Sequence, residues 1–259
     1  MNLILIRGGG NLASGVALRL QRCGYKMVIT ELPNPLAVRR TVSFSEALYE
    51  EEIIIEGVFA RQAKSLPDAM ELIQNGILPV LVDPQCAILN QWDFSALIDA
   101  RLLKHTSDTR LAAAPLVLGL GPGFTCGENC HAVVETQRGH DLGRVFWTGS
   151  ANPDTGQPEG DPRRVLRAPC DGHLIDHVRI GEHVETGQII AEISGQAILA
   201  PISGVLRGLI HPGIQVKIGM KVGDIDPRDN PGYCQTVSDK ALAIGGGVLE
   251  ALLSRPILP

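Results

Sequence analysis

The sequence predicts an α/β protein: a Rossmann-like parallel-sheet domain, then a small all-β barrel-sandwich domain, then a C-terminal helix. Three observations predict it. The first residues run strand, glycine turn, helix, strand and acid in order. The region near residue 170 matches the region near residue 200 at an offset of 32 residues. A long apolar run follows Ser238, a candidate N-cap. The expected boundaries are 1–150 for the sheet domain, 151–164 for a linker, 165–228 for the β domain and 229–259 for a helical segment packing back on the first domain.

The 259 residues are enough for two modest cores. A hydrophobic fraction of 44% and a charged fraction of 20% describe a globular chain, and aromatics at 4% make its cores aliphatic. With 23 basic and 28 acidic residues the net charge is -5, and no basic run exceeds pairs such as Arg39–Arg40 and Arg163–Arg164. A nucleic-acid surface is not expected. The opening MNLILIRGGG lacks the pattern of a signal peptide, and no stretch of about 18 apolar residues occurs, so a cytoplasmic protein is expected. Six scattered cysteines read as free thiols rather than a disulfide scaffold.

Residues 2–7 form an apolar strand, and Gly8, Gly10 and Ala13 satisfy G-x-G-x-x-A where it turns into a helix. Leu12, Val16, Leu20 and Cys23 give that helix its buried stripe. Gly24 ends it, residues 26–30 form a second strand, and Glu31 stands 21 positions after Gly10, where a dinucleotide fold places the acid for a ribose hydroxyl. The loop predicts a phosphate-bearing ligand on the helix N-terminus, at Gly8, Gly10, Asn11, Ala13 and Glu31. A mononucleotide, a dinucleotide and a pterin phosphate all fit. The competing reading is a tight first turn that binds nothing.

The alternation continues with a helix at 45–51, a strand at 53–58, a helix at 68–75 and strands at 79–82 and 96–102. Asp99, Arg101 and Lys104 fall near strand ends, where they serve either a ligand or surface ion pairs. Residues 116–120 make a buried strand that breaks into a second glycine loop with Gly119, Gly121, Gly123 and Gly127. Gly121 and Gly123 offer bare amides to a ligand. Cys126, Cys130 and His131 follow, supplying three nominal ligands where structural zinc takes four, so no metal site is expected. The plainer reading is a glycine turn with core cysteines. His131 and Glu135 share a face in a helix or a strand. Residues 144–149 read as a last strand, and 150–164, rich in proline, glycine and charge, as a linker.

In the repeat, Ala168-Pro169, Gly172, Gly181, Val184, Gly187 and Ile193 recur 32 positions later. The two copies resemble biotinyl and lipoyl carrier domains. Their central hairpin, EISGQAIL from Glu192 to Leu199, contains no lysine, so neither biotin nor lipoate is expected; the module reads as a lid or docking surface. In the final run Gly245, Gly246 and Gly247 cost a helix about 1 kcal/mol each, which predicts close packing or a turn.

RGGGNLASGVALRL, EGVFA, LVDPQC, DARLLK, GLGPGFTCGENCHAVVETQRGHDLGRVFW and AIGGGVLEALL together resemble accessory proteins of the selenium-dependent molybdenum hydroxylase system. The first half is more distantly similar to the xanthine dehydrogenase maturation chaperones. The resemblance implies a maturation factor that binds molybdenum cofactor, as molybdopterin or its cytidine dinucleotide, and assists sulfuration, selenation or insertion on a molybdenum hydroxylase apoenzyme. Cys86 and Cys126 are then candidates for sulfur or selenium handling, since amides near a loop cysteine favour its thiolate. Two alternatives stand beside it: an NAD(P)-dependent oxidoreductase, and a cysteine-based transferase. Homo-oligomers fit any of them.

Overall fold

The computed structural model describes residues 2–156 and 160–259, and its contacts divide the chain into two compact units. The first comprises Met1–Pro35, Ser43–Thr155 and Val237–Pro259; the second comprises Leu36–Val42 and Gly156–Thr236. Residues 157–159 of the expected linker lie outside the described residues.

The first unit is built on one sheet. Its strands are β1 (Leu3–Arg7), β2 (Lys26–Glu31), β3 (Glu52–Ile55), β4 (Val58–Ala63), β5 (Leu78–Val82), β6 (Ala96–Asp99), β7 (Leu116–Leu120), β8 (Ala132–Val134) and β9 (Val145–Phe146). They lie in the order β3-β4-β5-β2-β1-β6-β7-β8-β9. From β4 to β8 every neighbour is parallel, and the inner strands are largely apolar, with their polar residues at the strand ends. All five residues of β1 and of β7 are buried.

The expected parallel sheet is corrected to a mixed one. β3 and β9 are antiparallel to their neighbours. The cause at β3 is a two-residue hairpin: Glu56 and Gly57 both take positive φ, at 45° and 84°, as a type I′ turn requires. Residues expected to form one strand at 53–58 therefore belong to two. The expected helix at 45–51 is a 3-10 turn, Phe44–Glu46, followed by the single helical turn α2 (Ala47–Glu50). The crossovers from β5 to β6 and from β6 to β7 contain only short 3-10 turns, Ala87–Asn90 and Leu111–Ala113, so helix does not alternate regularly with strand.

The longer helices are α1 (Asn11–Arg22), α3 (Leu66–Gln74) and α4 (Asp239–Leu253). Ser65 caps α3 by accepting from the Asp68 N–H, and Ser238 caps α4 by accepting from the Ala241 N–H. α3 supplies Ala69, Leu72 and Ile73 to a core with Leu5, Leu97 and Val117. α4 packs on α1, where a Cβ on Gly15 would come 2.5 Å from the Ala241 methyl and one on Gly245 2.8 Å from the Gly15 carbonyl oxygen. The three glycines of α4 thus stay inside a helix, and Gly245 supplies the absence of bulk that lets α1 approach.

The second unit holds β10 (Val165–Arg167), β11 (Gly172–Asp176), β12 (His183–Val184), β13 (Ile189–Ile193), β14 (Gln196–Leu199), β15 (Gly204–Leu209), β16 (Gln215–Val216) and β17 (Lys221–Asp226). They form two four-stranded antiparallel sheets, β10-β17-β15-β12 and β14-β13-β11-β16. The expected barrel-sandwich is corrected here: among the described residues no strand pairing closes these sheets into a barrel. The physical reason is the length of β12 and β16. Each has two residues, pairs on one side with a strand of the other repeat copy, and ends its sheet there.

Candidate functional site

The order of strands reverses at β1. From β1 the chain moves to β2 on one side, and from β6 it moves through β7 and β8 on the other. Parallel sheets place ligands outside the carboxyl ends of the strands at such a reversal.

Three glycines follow β1. Gly8 holds φ +101° and lies against the backbone of Ala100 and Arg101, where a Cβ would sit 3.2 Å from either chain atom. Gly9 donates its N–H to Glu31 Oε2 at 2.7 Å, and its carbonyl accepts from the Ser45 N–H at 3.0 Å. Glu31 Oε1 accepts from the Leu32 N–H at 2.7 Å. Gly10 is the N-cap of α1; no side chain caps this helix, and no atom lies within 4 Å of where its Cβ would be. Gly8, Gly10, Asn11, Ala13 and Glu31 are thus gathered at one strand end, with Glu31 already bonded to the loop.

The loop after β7 is built otherwise. A Cβ on Gly119 would fall inside the buried Phe124 ring, one on Gly121 would strike the Thr136 hydroxyl, and one on Gly123 the His105 carbonyl. Gly121 N–H donates to Val134 O at 3.0 Å. Gly121 and Gly123 are occupied by packing against the chain itself. Gly123 still reaches the β1 end indirectly, since its carbonyl accepts from the Ser107 N–H at 2.9 Å.

The thiols are quiet. Cys86 is 5% exposed, holds φ +57° after β5, and lies 3.8 Å from the Thr30 hydroxyl. Burial raises its pKa against the opposing pull of Thr30 and Arg7. Asp83 rather than a ligand organises this turn, accepting from the Ala87 and Ile88 N–H groups at 2.8 and 2.9 Å. Cys126 Sγ donates to Phe146 O at 3.3 Å, and burial raises it too. Cys130 is fully buried, and burial pushes its thiol up to about 12. His131 Nδ1 accepts from the Val117 N–H at 2.9 Å, which fixes its tautomer. Burial, with Arg255 nearby, lowers its pKa and keeps the ring neutral. Glu135 is 1% exposed and accepts from the backbone of Thr136, Gln137 and Asn152 at 2.7–2.8 Å, so it anchors loops instead of serving His131 as an acid or base.

Beside Gly8 stands a charged network. Asp99 at the end of β6 is fully buried and bonded to Arg101 Nε at 3.0 Å and Nη2 at 2.7 Å, to Ser107 Oγ at 3.0 Å and to Thr109 Oγ1 at 2.6 Å. Arg7 at the end of β1 and Arg101 both bind Asp108. Burial opposes ionisation of Asp108, but the hydrogen bonds and charges of Arg101 and Arg7 outweigh it and bring the carboxyl down to about 2. Asp99 and Arg101 were visible in the sequence as charges near a strand end. Arg7 was hidden inside the glycine fingerprint, though an arginine ending an otherwise apolar strand is a signal. Asp108 carries no signal of its own. Lys104 turns outward to pair with Asp154 at 2.8 Å.

By fold, then, the first unit is a largely parallel α/β sheet with a glycine loop and a buried arginine at its strand reversal. The chain is 47% identical over 255 residues to the uncharacterized protein YqeB of Escherichia coli (strain K12). That alignment takes in 97% of this chain and 47% of that protein, so the chain spans about half the length of the curated relative it matches. No family model matches it. Solved structures similar to parts of the chain include the ectoine utilization protein EutE (DoeB) from Ruegeria pomeroyi, 12% identical, with a TM-score of 0.26 over 86% of each chain. An aspartoacylase family protein from Mesorhizobium loti is 13% identical, with a TM-score of 0.27 over 86% of this chain and 84% of that one. A succinylglutamatedesuccinylase/aspartoacylase from Rhodobacter sphaeroides is 15% identical, with a TM-score of 0.28 over 86% and 85%. TM-scores this low carry neither a fold nor an activity to the present chain.

These findings correct the resemblance drawn from the sequence motifs. The similar proteins bear the names of aspartoacylase and desuccinylase families or of an uncharacterized protein, and none of these is named as a molybdenum hydroxylase accessory protein or a maturation chaperone. The maturation role, its selenium dependence and the sulfuration or selenation step at Cys86 and Cys126 are withdrawn with it. The raised thiol pKa values agree, because transfer chemistry needs a thiolate.

Proposed function

We propose that the first unit binds a small phosphate-bearing molecule at the carboxyl end of β1. The observation that carries this reading is the start of α1: a helix N-terminus without a side-chain cap, opening from three glycines at the strand reversal, with clear space beside Gly10. Free N–H groups and the helix dipole favour an anion there. Leu32 and Val82, 44% and 43% exposed and flanking the Glu31 strand end, supply apolar surface for the rest of the molecule.

Calorimetric titration with AMP, NAD(H) and NADP(H) tests the reading. Binding of at least one, lost on Gly10→Asp, is expected. Absence of binding by all of them removes the proposal. A cytoplasmic setting belongs to the same proposal. It is supported by six free cysteines; and among the described residues no helix is long and apolar enough to cross a membrane.

A further inference from the structure

Arg7 is 8% exposed, and a guanidinium buried this far is costly unless an anion faces it. Two carboxylates lie near. Asp99 is fully committed, with both oxygens bonded to Arg101 and further bonds from Ser107 and Thr109. Among the described residues the carboxylate paired with Arg7 is Asp108, whose side chain is 65% exposed on a segment with no regular structure. A buried cation at the centre of the sheet is therefore neutralised by a surface residue. Arg7 Nε is buried without a hydrogen bond, and Nη2 has only long contacts to Asp108 Oδ2, 3.2 Å, and Pro84 O, 3.4 Å.

The geometry around Asp108 is that of an anion held between two guanidinium groups, by both terminal nitrogens of Arg7 and by one nitrogen of Arg101. Oδ1 accepts from Arg7 Nη1 at 2.9 Å and from Arg101 Nη2 at 2.6 Å. Paired guanidinium groups suit a carboxylate and a phosphate equally, and a phosphate brings more oxygens and more charge. The site adjoins the glycine loop, since Gly8 rests on the Ala100–Arg101 backbone.

We infer that Arg7 and Arg101 form a docking site for one phosphate group at the strand reversal, that the Asp108 carboxylate fills it when no ligand is bound, and that segment 101–110 gives way when a phosphate enters. The inference rests on the phosphate-ligand reading of the neighbouring glycine loop. It adds that the ligand competes with a residue of the chain, so measured affinity is lower than the site's own by the fraction of time Asp108 is displaced.

Titration of the intact chain with inorganic phosphate tests it. Asp108→Asn should bind phosphate about tenfold more tightly than the unaltered chain, and adding Arg101→Gln should abolish that gain. Equal affinity in Asp108→Asn and the unaltered chain, or no binding by the variant, overturns the inference. A parallel titration with AMP separates the two ideas. AMP binding that is lost in Gly10→Asp while phosphate affinity is indifferent to Asp108→Asn keeps the glycine-loop site and discards the arginine site. Absence of nucleotide binding alongside tighter phosphate binding by Asp108→Asn does the reverse. Should Asp108→Asn fold poorly, hydrogen exchange on the unaltered chain decides: amides of 101–110 should exchange faster in saturating phosphate, and unchanged exchange overturns the proposal.

Discussion

Two glycine loops leave the carboxyl ends of two parallel strands of one sheet, and in composition they look alike. The loop after β1 leaves space beside Gly10 and an uncapped helix behind it. The loop after β7 is filled, with Phe124, Thr136 and the His105 carbonyl occupying the positions where side chains would stand on Gly119, Gly121 and Gly123. Packing demands glycine in both, at Gly8 and Gly9 in the first and at Gly119, Gly121 and Gly123 in the second, whereas Gly10 stands open. At Gly10 the missing side chain is offered to the outside; at the five packed glycines its place is already used by the protein.

The comparison is broken most readily at Gly119. Gly119→Ala should destabilise the chain by about 3 kcal/mol, because overpacking against a buried ring forces strain. Thermal or urea unfolding measures it, and Phe124→Leu in the same chain should recover part of the loss, making the pair less than additive. A loss below about 0.5 kcal/mol would mean that this loop is as open as the first.

The thiols sharpen the contrast next. In the native chain at neutral pH, Cys130 and Cys86 should be alkylated at least about tenfold more slowly than exposed Cys23, a factor equivalent to roughly 1.4 kcal/mol. Peptide mass spectrometry reads this. The sign for Cys130 follows from its raised value: burial favours the protonated thiol, so its contribution to stability is complete below the ordinary value of 9.0 and is lost as pH rises to about 12.

Asp108 gives a smaller effect of opposite sense. Its depressed pKa contributes stability above the ordinary 3.8, lost as pH falls through about 2. With 65% of the side chain exposed, solvent screening holds this below about 1 kcal/mol. Urea unfolding of the unaltered chain and Asp108→Asn should therefore converge in strong acid. The smallest change is expected at Gly10→Asp, which supplies the missing cap and raises stability by about 0.3 kcal/mol while removing anion binding. An equal loss of stability there would show that Gly10 is packed like Gly119.

Much of the sheet was legible because buried parallel strands read as apolar runs: residues 3–6, 27–29 and 116–120 stand out on that ground. The β3–β4 hairpin was not, since the turn at Glu56-Gly57 is only a two-residue gap between apolar stretches. The crossovers around β6 carry no periodicity to read. The repeat at an offset of 32 residues announced duplicated β units, but repetition does not say whether two sheets close, and these remain separate among the described residues. At the site, the glycine fingerprint and Glu31 were visible because their spacing is local. The Arg7–Asp108 pair spans 101 positions and leaves no local trace.

The packing of α4 on α1 has a consequence in time. During synthesis α1 is made before the surface that covers it, from Ala241 to Gly245, which arrives more than two hundred residues later. Until then the face of α1 at Gly15 lacks the helix that packs on it, and the intervening chain must be accommodated first. Long-range closure of this kind slows folding and leaves apolar surface exposed on the way. An early helix that waits for a late one is a natural place for a chaperone to act during synthesis.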